Sequence, residues 1–235
     1  MDDRAALSEM LTLASGSVPV VWRRSQRARR ISLRIDPKTA SVVVTLPMRA
    51  ARGAGIALLT THQDWAAGKL AALPKAAPFA DGSVIPLHGV PHTIRHMPGA
   101  RGAAWARDGE IQVAGRPEFL GRRVLDFLRA EARLRLSGLA LAKAQAAGLA
   151  YTRLTIKDTS SRWGSCASNG SLAFSWRLVM APPEVQDYVA AHEVAHLRHM
   201  NHGRRFWVLV RELTPHADVA MPWLHEHGAR LLRVG

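Results

Sequence analysis

The chain of 235 residues contains a single cysteine, Cys166. That excludes an internal disulfide and a thiolate-rich structural zinc site, and an unpaired thiol suits the reducing cytoplasm. Apolar runs of the length a membrane span requires are missing. The opening stretch, MDDRAALSEM, is acidic and has no apolar core ahead of a cleavage site, so no secretory signal is expected. A glycine-rich phosphate loop, an internal repeat and a low-complexity linker are all lacking. Acidic side chains are scarce: 18 Asp and Glu against 32 Lys and Arg give a formal charge of +14. One reading of that excess is an anionic partner such as nucleic acid. The other is a solvated basic surface, since a coding bias toward Arg and Ala would produce the same composition. With 48% hydrophobic and 21% charged residues the chain is an ordinary soluble globular protein, long enough for one large domain or two small ones.

What is present is concentrated between Ala191 and Trp207, in AHEVAHLRHMNHGRRFW. His192, Glu193 and His196 form the pattern H-E-x-x-H. On a helix, residues four apart lie about 40° apart around the axis and one turn apart along it. His192 and His196 therefore point to one side and can offer two imidazole nitrogens to a single metal ion, with Glu193 beside them as a base. His202 comes too late to share that face. Asn201 and Gly203 are helix-ending residues, so the chain is expected to turn there and bring His202 back as the third ligand. Three protein ligands and one open position describe a catalytic zinc site with one Zn2+ per chain. His199 falls off the face and is left out. The bland alternative is a basic, His-rich amphipathic helix in solvent.

Along the chain, residues 1–17 read as a short helical lead-in without a motif. Ile31, Leu33 and Ile35 alternate with polar residues, and SVVVTL from Ser41 is a second β-branched run, so a hairpin is expected. Arg23, Arg24, Arg27, Arg29, Arg30 and Arg34 cluster here, either as a phosphate-contacting stripe or as edge charges that block aggregation. Residues 50–73 read as one helix. His88, His92 and His96 recur every four residues, but Gly89 and Pro91 argue for extended chain and against a metal site. The longest helical stretch runs from Pro117 to Leu149, with Gly138 a candidate kink. Strands are expected at Leu154–Ile156 and over 171–179, then the histidine helix opening at Pro182-Pro183, and a last helix ending near Leu232. These elements divide as a lead-in (1–17), a β-rich region with one helix (18–115) and a catalytic region (116–235) that together are compatible with one domain.

The segment SRWGSCASNGSLAFSWRLVMAPPEVQDYVAAHEVAHLRHMNHGRRFW resembles the YgjP-like metallopeptidase domain, related to SprT-type zincins. The motifs that carry the resemblance are R-W-G-S-C, W-R-L-x-x-A-P-P and H-E-x-x-H-x-x-x-x-N-H followed by F-W. It implies zinc ligands His192, His196 and His202, Glu193 as catalytic base, and an α+β fold. In that fold a zincin-like catalytic half, with the active-site helix beside a small antiparallel sheet, follows a β-rich N-terminal half. Val194 stands where leucine is usual. A metzincin would need glycine at the position of His199, which rejects that subfamily; Met221 is then an ordinary packing residue.

The expected activity is a zinc-dependent, cytoplasmic metallopeptidase in which Glu193 assists attack of zinc-bound water on a peptide carbonyl. Its substrate is protein or peptide, in one version protein associated with nucleic acid. Arg162, Ser165 and Tyr188 are candidate oxyanion donors. Asp187, Glu212 and Asp218 are candidates to orient a ligand histidine. Two alternatives stay open: a zinc-dependent nucleotide pyrophosphatase or phosphohydrolase, and a non-catalytic zinc-containing nucleic-acid-binding protein. Retention of Glu193 weighs against the second, and a site with one carboxylate weighs against a two-metal phosphohydrolase.

Overall fold

The computed structural model describes residues 7–14, 16–160 and 162–235. It is a mixed α+β structure with three small sheets, strands in the N-terminal half and helices in the C-terminal half. Two compact units divide it, Met1–Lys75 and Ala76–Gly235.

The first unit is built on β1 (Leu7–Leu13), β2 (Gly16–Ser25), β3 (Ser32–Asp36) and β4 (Ser41–Pro47), in the order β1-β2-β4-β3. The expected helical lead-in is a strand over its described residues: β1 pairs antiparallel with β2 along its whole length. Neighbouring β2 supplied the partner that no local pattern announces. Its first residues, 1–6, lie outside the described ones. Residues 32–36 and 41–45 pair antiparallel as the alternation predicted, with Leu33 opposite Val44. Period-two burial sends Val18, Val20 and Trp22 of β2 and Val42, Val44 and Leu46 of β4 into one core. The single helix expected over 50–73 is two, α1 (Arg52–Thr61) and α2 (Gln63–Ala71), broken at His62 (φ −110°, ψ 23°). Leu59 and Ala66 from the two helices close the core.

In the second unit, β5 (Val84–Leu87), β6 (Val90–Met97), β7 (Ala104–Arg107) and β8 (Glu110–Ala114) form a sheet in the order β5-β6-β8-β7. The three histidines of this region scatter. His88 occupies a turn at φ 50°, His92 Nδ1 faces the Val90 carbonyl, and His96 Nε2 faces the Gly115 carbonyl at 2.6 Å. The long helix α3 (Leu120–Ala146) runs straight through Gly138 rather than dividing there. Its buried residues recur every four positions: Leu120, Val124, Leu128, Ala132, Leu136, Ala140 and Ala144. A four-residue step overshoots the 3.6-residue turn, so this stripe winds around the helix and meets different partners along its length. β7 and β8 are touched by α3, as are β9 (Arg153–Lys157) and α4 (Pro183–Ala195). Its side chains share one core with Ile85, Leu87, Ile94, Ile111 and Val113 of the preceding sheet. That shared core lies within the unit Ala76–Gly235.

The third sheet is β10-β11-β9, from β9, β10 (Gly164–Cys166) and β11 (Ser171–Ser175). It is antiparallel between β10 and β11 and parallel between β11 and β9. The strand expected to continue to Val179 ends at Ser175 and becomes a buried 3-10 turn, Trp176–Met180. Arg177 is 1% exposed there, yet it is paired with Asp158, donates to the Val234 carbonyl at 3.2 Å and stacks over Trp176. These contacts hold a side chain that would not otherwise stay out of water. α4 starts at Pro183, as the Pro-Pro pair predicted, and is followed by α5 (Arg204–Leu213) and α6 (Ala217–Leu232).

Candidate active site

The site is assembled where α4 ends. Buried side chains cover nearly the whole circumference of α4, not only the face of Val185, Tyr188 and Val189, so the helix is a core element. Its last turn tightens: Leu197 N–H reaches the Val194 carbonyl and Arg198 N–H the Ala195 carbonyl. His192 lies inside the helix and His196 caps it. The chain turns through Leu197–Asn201 and re-enters helix at Arg204 behind Gly203. That turn brings His202 back as expected, but it starts ahead of Asn201, and Gly203 serves as the N-cap of α5 rather than ending α4.

The nitrogens converge. His202 Nε2 lies 3.2 Å from His192 Nε2 and 3.1 Å from His196 Nε2. A single ring nitrogen cannot hydrogen-bond to both, whereas one shared cation satisfies all three. Two nitrogens on a tetrahedral metal at about 2.0–2.1 Å stand about 3.3 Å apart, close to the spacing found here. The outer nitrogens are held as well. His196 Nδ1 donates to the His199 carbonyl at 3.0 Å, which leaves Nε2 as a lone pair facing inward. His192 Nδ1 is 3.3 Å from the hydroxyl of Tyr188, one turn back on α4. Phe206, fully buried, lies under all three rings at centroid distances of 4.5, 4.8 and 4.9 Å. Burial and the neighbouring histidines push His192 down to about 4, so it is neutral at physiological pH and able to ligate. Among the described residues this triad is the one His/Cys/Asp/Glu cluster arranged to hold a metal ion.

Glu193 is 6% exposed and makes no hydrogen bond or ion pair among the described residues. Burial raises its carboxyl to about 8, with Arg162 pulling the other way. It faces the backbone of β10. A Cβ added to Gly164 would lie 2.5 Å from Glu193 Cγ and from Oε1, so only glycine lets the strand pass this close. Trp163 is turned toward α6, where it lies against Gly228. The R-W-G-S-C motif thus fixes a strand to the glutamate on one side and to a helix on the other.

A cavity of about 540 Å³ opens over the site. Arg162, Ser165 and Tyr188, the three candidate oxyanion donors, all line it, together with the histidine triad and Glu193. Cys166 also lines it, but burial and Glu193 raise its thiol pKa, which disfavours the thiolate a nucleophile needs. Met200 and Leu224 complete the walls and were not anticipated. Met221 packs against the core instead.

The residues expected to orient the histidines do other work. Asp187 accepts from Lys143 at 2.6 Å and from Thr214 at 2.5 Å. Asp218 is exposed and 3.8 Å from Arg211, and Glu212 faces a shallow groove with Arg198 and Arg205. Tyr188 and a main-chain carbonyl take their place. The signal for Tyr188 was its position four residues before His192; a carbonyl leaves no signal in a sequence.

An α+β fold with a histidine triad and a buried glutamate gathered around the end of one helix is the arrangement that metallohydrolases of the H-E-x-x-H type use. The family model of the YgjP-like metallopeptidase domain matches residues 29–227, and the chain belongs to that family. No curated protein and no solved structure gives a significant match. Membership supports a hydrolase and implies a divalent metal, usually zinc, and a protein or peptide substrate.

Proposed function

We propose that the protein is a zinc-dependent peptidase in which His192, His196 and His202 hold the ion and Glu193 is the general base. The observation that carries this reading is the convergence of three Nε2 atoms in one cavity with a buried glutamate that has no hydrogen-bond partner among the described residues. A bound zinc ion supplies Lewis acidity, acidifying water and polarising a carbonyl. Glu193 accepts the proton of the attacking water and returns it to the departing amine. Gly164 keeps that carboxylate in place by admitting it against the β10 backbone. Tyr188 stays protonated far above neutrality, with its pKa pushed up to about 12 by burial and by Glu193. When His192 Nδ1–H donates to it, the Tyr188 O–H remains free to donate toward a developing oxyanion, and Arg162 brings positive charge to the cavity mouth. Glu193 is the only carboxylate lining the cavity among the described residues, which disfavours two-metal phosphohydrolysis.

The test measures zinc per chain and casein hydrolysis for wild type, His196→Ala and Glu193→Gln. One zinc per chain is expected, lost in His196→Ala and kept in Glu193→Gln. Hydrolysis in the glutamate variant should fall by about 10²–10⁴-fold. Wild-type turnover in Glu193→Gln would sink the general-base role.

A further inference from the structure

The first unit carries a second feature that peptide hydrolysis does not use. Between Glu9 and Asp36 the chain contains no acidic residue and six arginines. Arg24 is committed to the fold, donating to the carbonyls of Met48 at 2.7 Å and Ala50 at 3.1 Å and so anchoring the end of β2. Arg34 pairs with Asp36 at 3.8 Å. Arg23, Arg27, Arg29 and Arg30 are exposed and have no ion pair among the described residues. Among the described residues, the two acids that flank this stretch in sequence are occupied: Glu9 by Arg52 and Trp22, Asp36 by Arg34 and the Lys38 amide.

Arg29 and Arg30 lead directly into Ile31, Ser32 and Leu33, which form one wall of a groove of about 350 Å³. Leu58 of α1, His62 at the break and Trp65 of α2 form the other wall. Trp65 is 42% exposed, an unusual position for the largest apolar side chain. Exposed cations that run directly in sequence into a groove with an open aromatic platform suit a single strand of nucleic acid: phosphates meet arginines, and an unpaired base stacks on a ring. A duplex keeps its bases stacked internally and has no use for the ring.

We propose that this groove, with Trp65 as stacking platform and Arg27, Arg29 and Arg30 as phosphate contacts, binds single-stranded nucleic acid. The site is independent of the zinc-peptidase reading. An acidic protein would be drawn to the same arginines but would gain nothing specific from the tryptophan.

The experiment titrates a fluorescent oligo-dT with the full-length chain and repeats it with a duplex of equal length and with polyglutamate. The variants are Trp65→Ala, Trp65→Phe and Arg27→Gln/Arg29→Gln/Arg30→Gln, each checked for native circular dichroism. Oligo-dT should bind more tightly than either competitor. Trp65→Ala should weaken it about tenfold, the loss of one base–aromatic stack, while Trp65→Phe keeps most of the affinity. The triple variant should make the log Kd versus log salt slope shallower by about 0.7 for each phosphate that an arginine no longer neutralises. Three outcomes overturn the proposal: no binding to oligo-dT, equal binding of polyglutamate, or binding that Trp65→Ala leaves unchanged.

Discussion

Single atoms decide how the site works. Gly164 passes so close to Glu193 that one methyl group would displace the carboxylate. Gly164→Ala is therefore expected to retain zinc and lose peptidase activity by at least about tenfold, since small misplacements of a reacting group are costly. Zinc analysis beside casein hydrolysis checks it, and full activity would show that the strand yields freely. The titrating groups pull in opposite directions in the metal-free chain. Glu193 is raised to about 8, so from roughly pH 4.5 to 8 the folded chain keeps a proton that the unfolded chain has lost. Stability from this group therefore falls as pH rises through that window. His192 is lowered to about 4, so from there to about 6.5 the unfolded chain holds the extra proton and stability rises with pH. His196 is lowered by burial and acts in the same sense. Above about 6.5 only the Glu193 contribution remains of the three. The chelator-treated protein should melt at a lower temperature at pH 8 than at pH 6.5, and Glu193→Gln should reduce the difference. An undiminished difference would assign it to other groups.

Elements are held around the site by a few polar ties. Lys143, near the end of α3, reaches Asp187 on α4 and the Leu213 carbonyl at the end of α5, both at 2.6 Å. Thr214 donates to the same aspartate and accepts from the His216 amide that precedes α6. Four helices thus meet at one carboxylate, five residues before His192. Lys143→Met leaves Asp187 without its cation, and a loss of about 1–3 kcal/mol is expected, read as a lower urea midpoint. An unchanged midpoint would mean that Thr214 alone satisfies the carboxylate. Gly138 on α3 offers the opposite case. A Cβ there would touch nothing, so Gly138→Ala should stabilise the chain by about 0.5–1 kcal/mol in the same titration. The helix tolerates this glycine because the buried stripe on either side, Leu136 and Ala140, already secures it.

For the whole molecule, the metal links site to stability. The three proposed ligands come from the last turn of α4 and the connection to α5, so binding ties together the chain on both sides of that turn. Zinc at 100 times its Kd should add about 2.7 kcal/mol. Thermal unfolding with and without zinc measures this, and His202→Ala should abolish the increment. The same increment in that variant would place the ion elsewhere. No helix among the described residues is long and apolar enough to cross a membrane.

Local information determined a good part of this protein. The i, i+4 spacing of His192 and His196, the prolines before α4 and the alternation of Ile31, Leu33 and Ile35 each act within a few residues, and the structure follows them. Readings failed where the cause lay far along the chain. Leu7–Leu13 is a strand because β2 pairs with it, and Trp176–Met180 leaves strand geometry where it is buried. Asp187 was unreadable for the same reason, since Lys143 and Thr214 lie 44 and 27 residues away from it. Only the tertiary structure could show that Gly164 lies against Glu193. Such contacts depend on distance in space, which a sequence records only where the chain also makes it a short distance along itself.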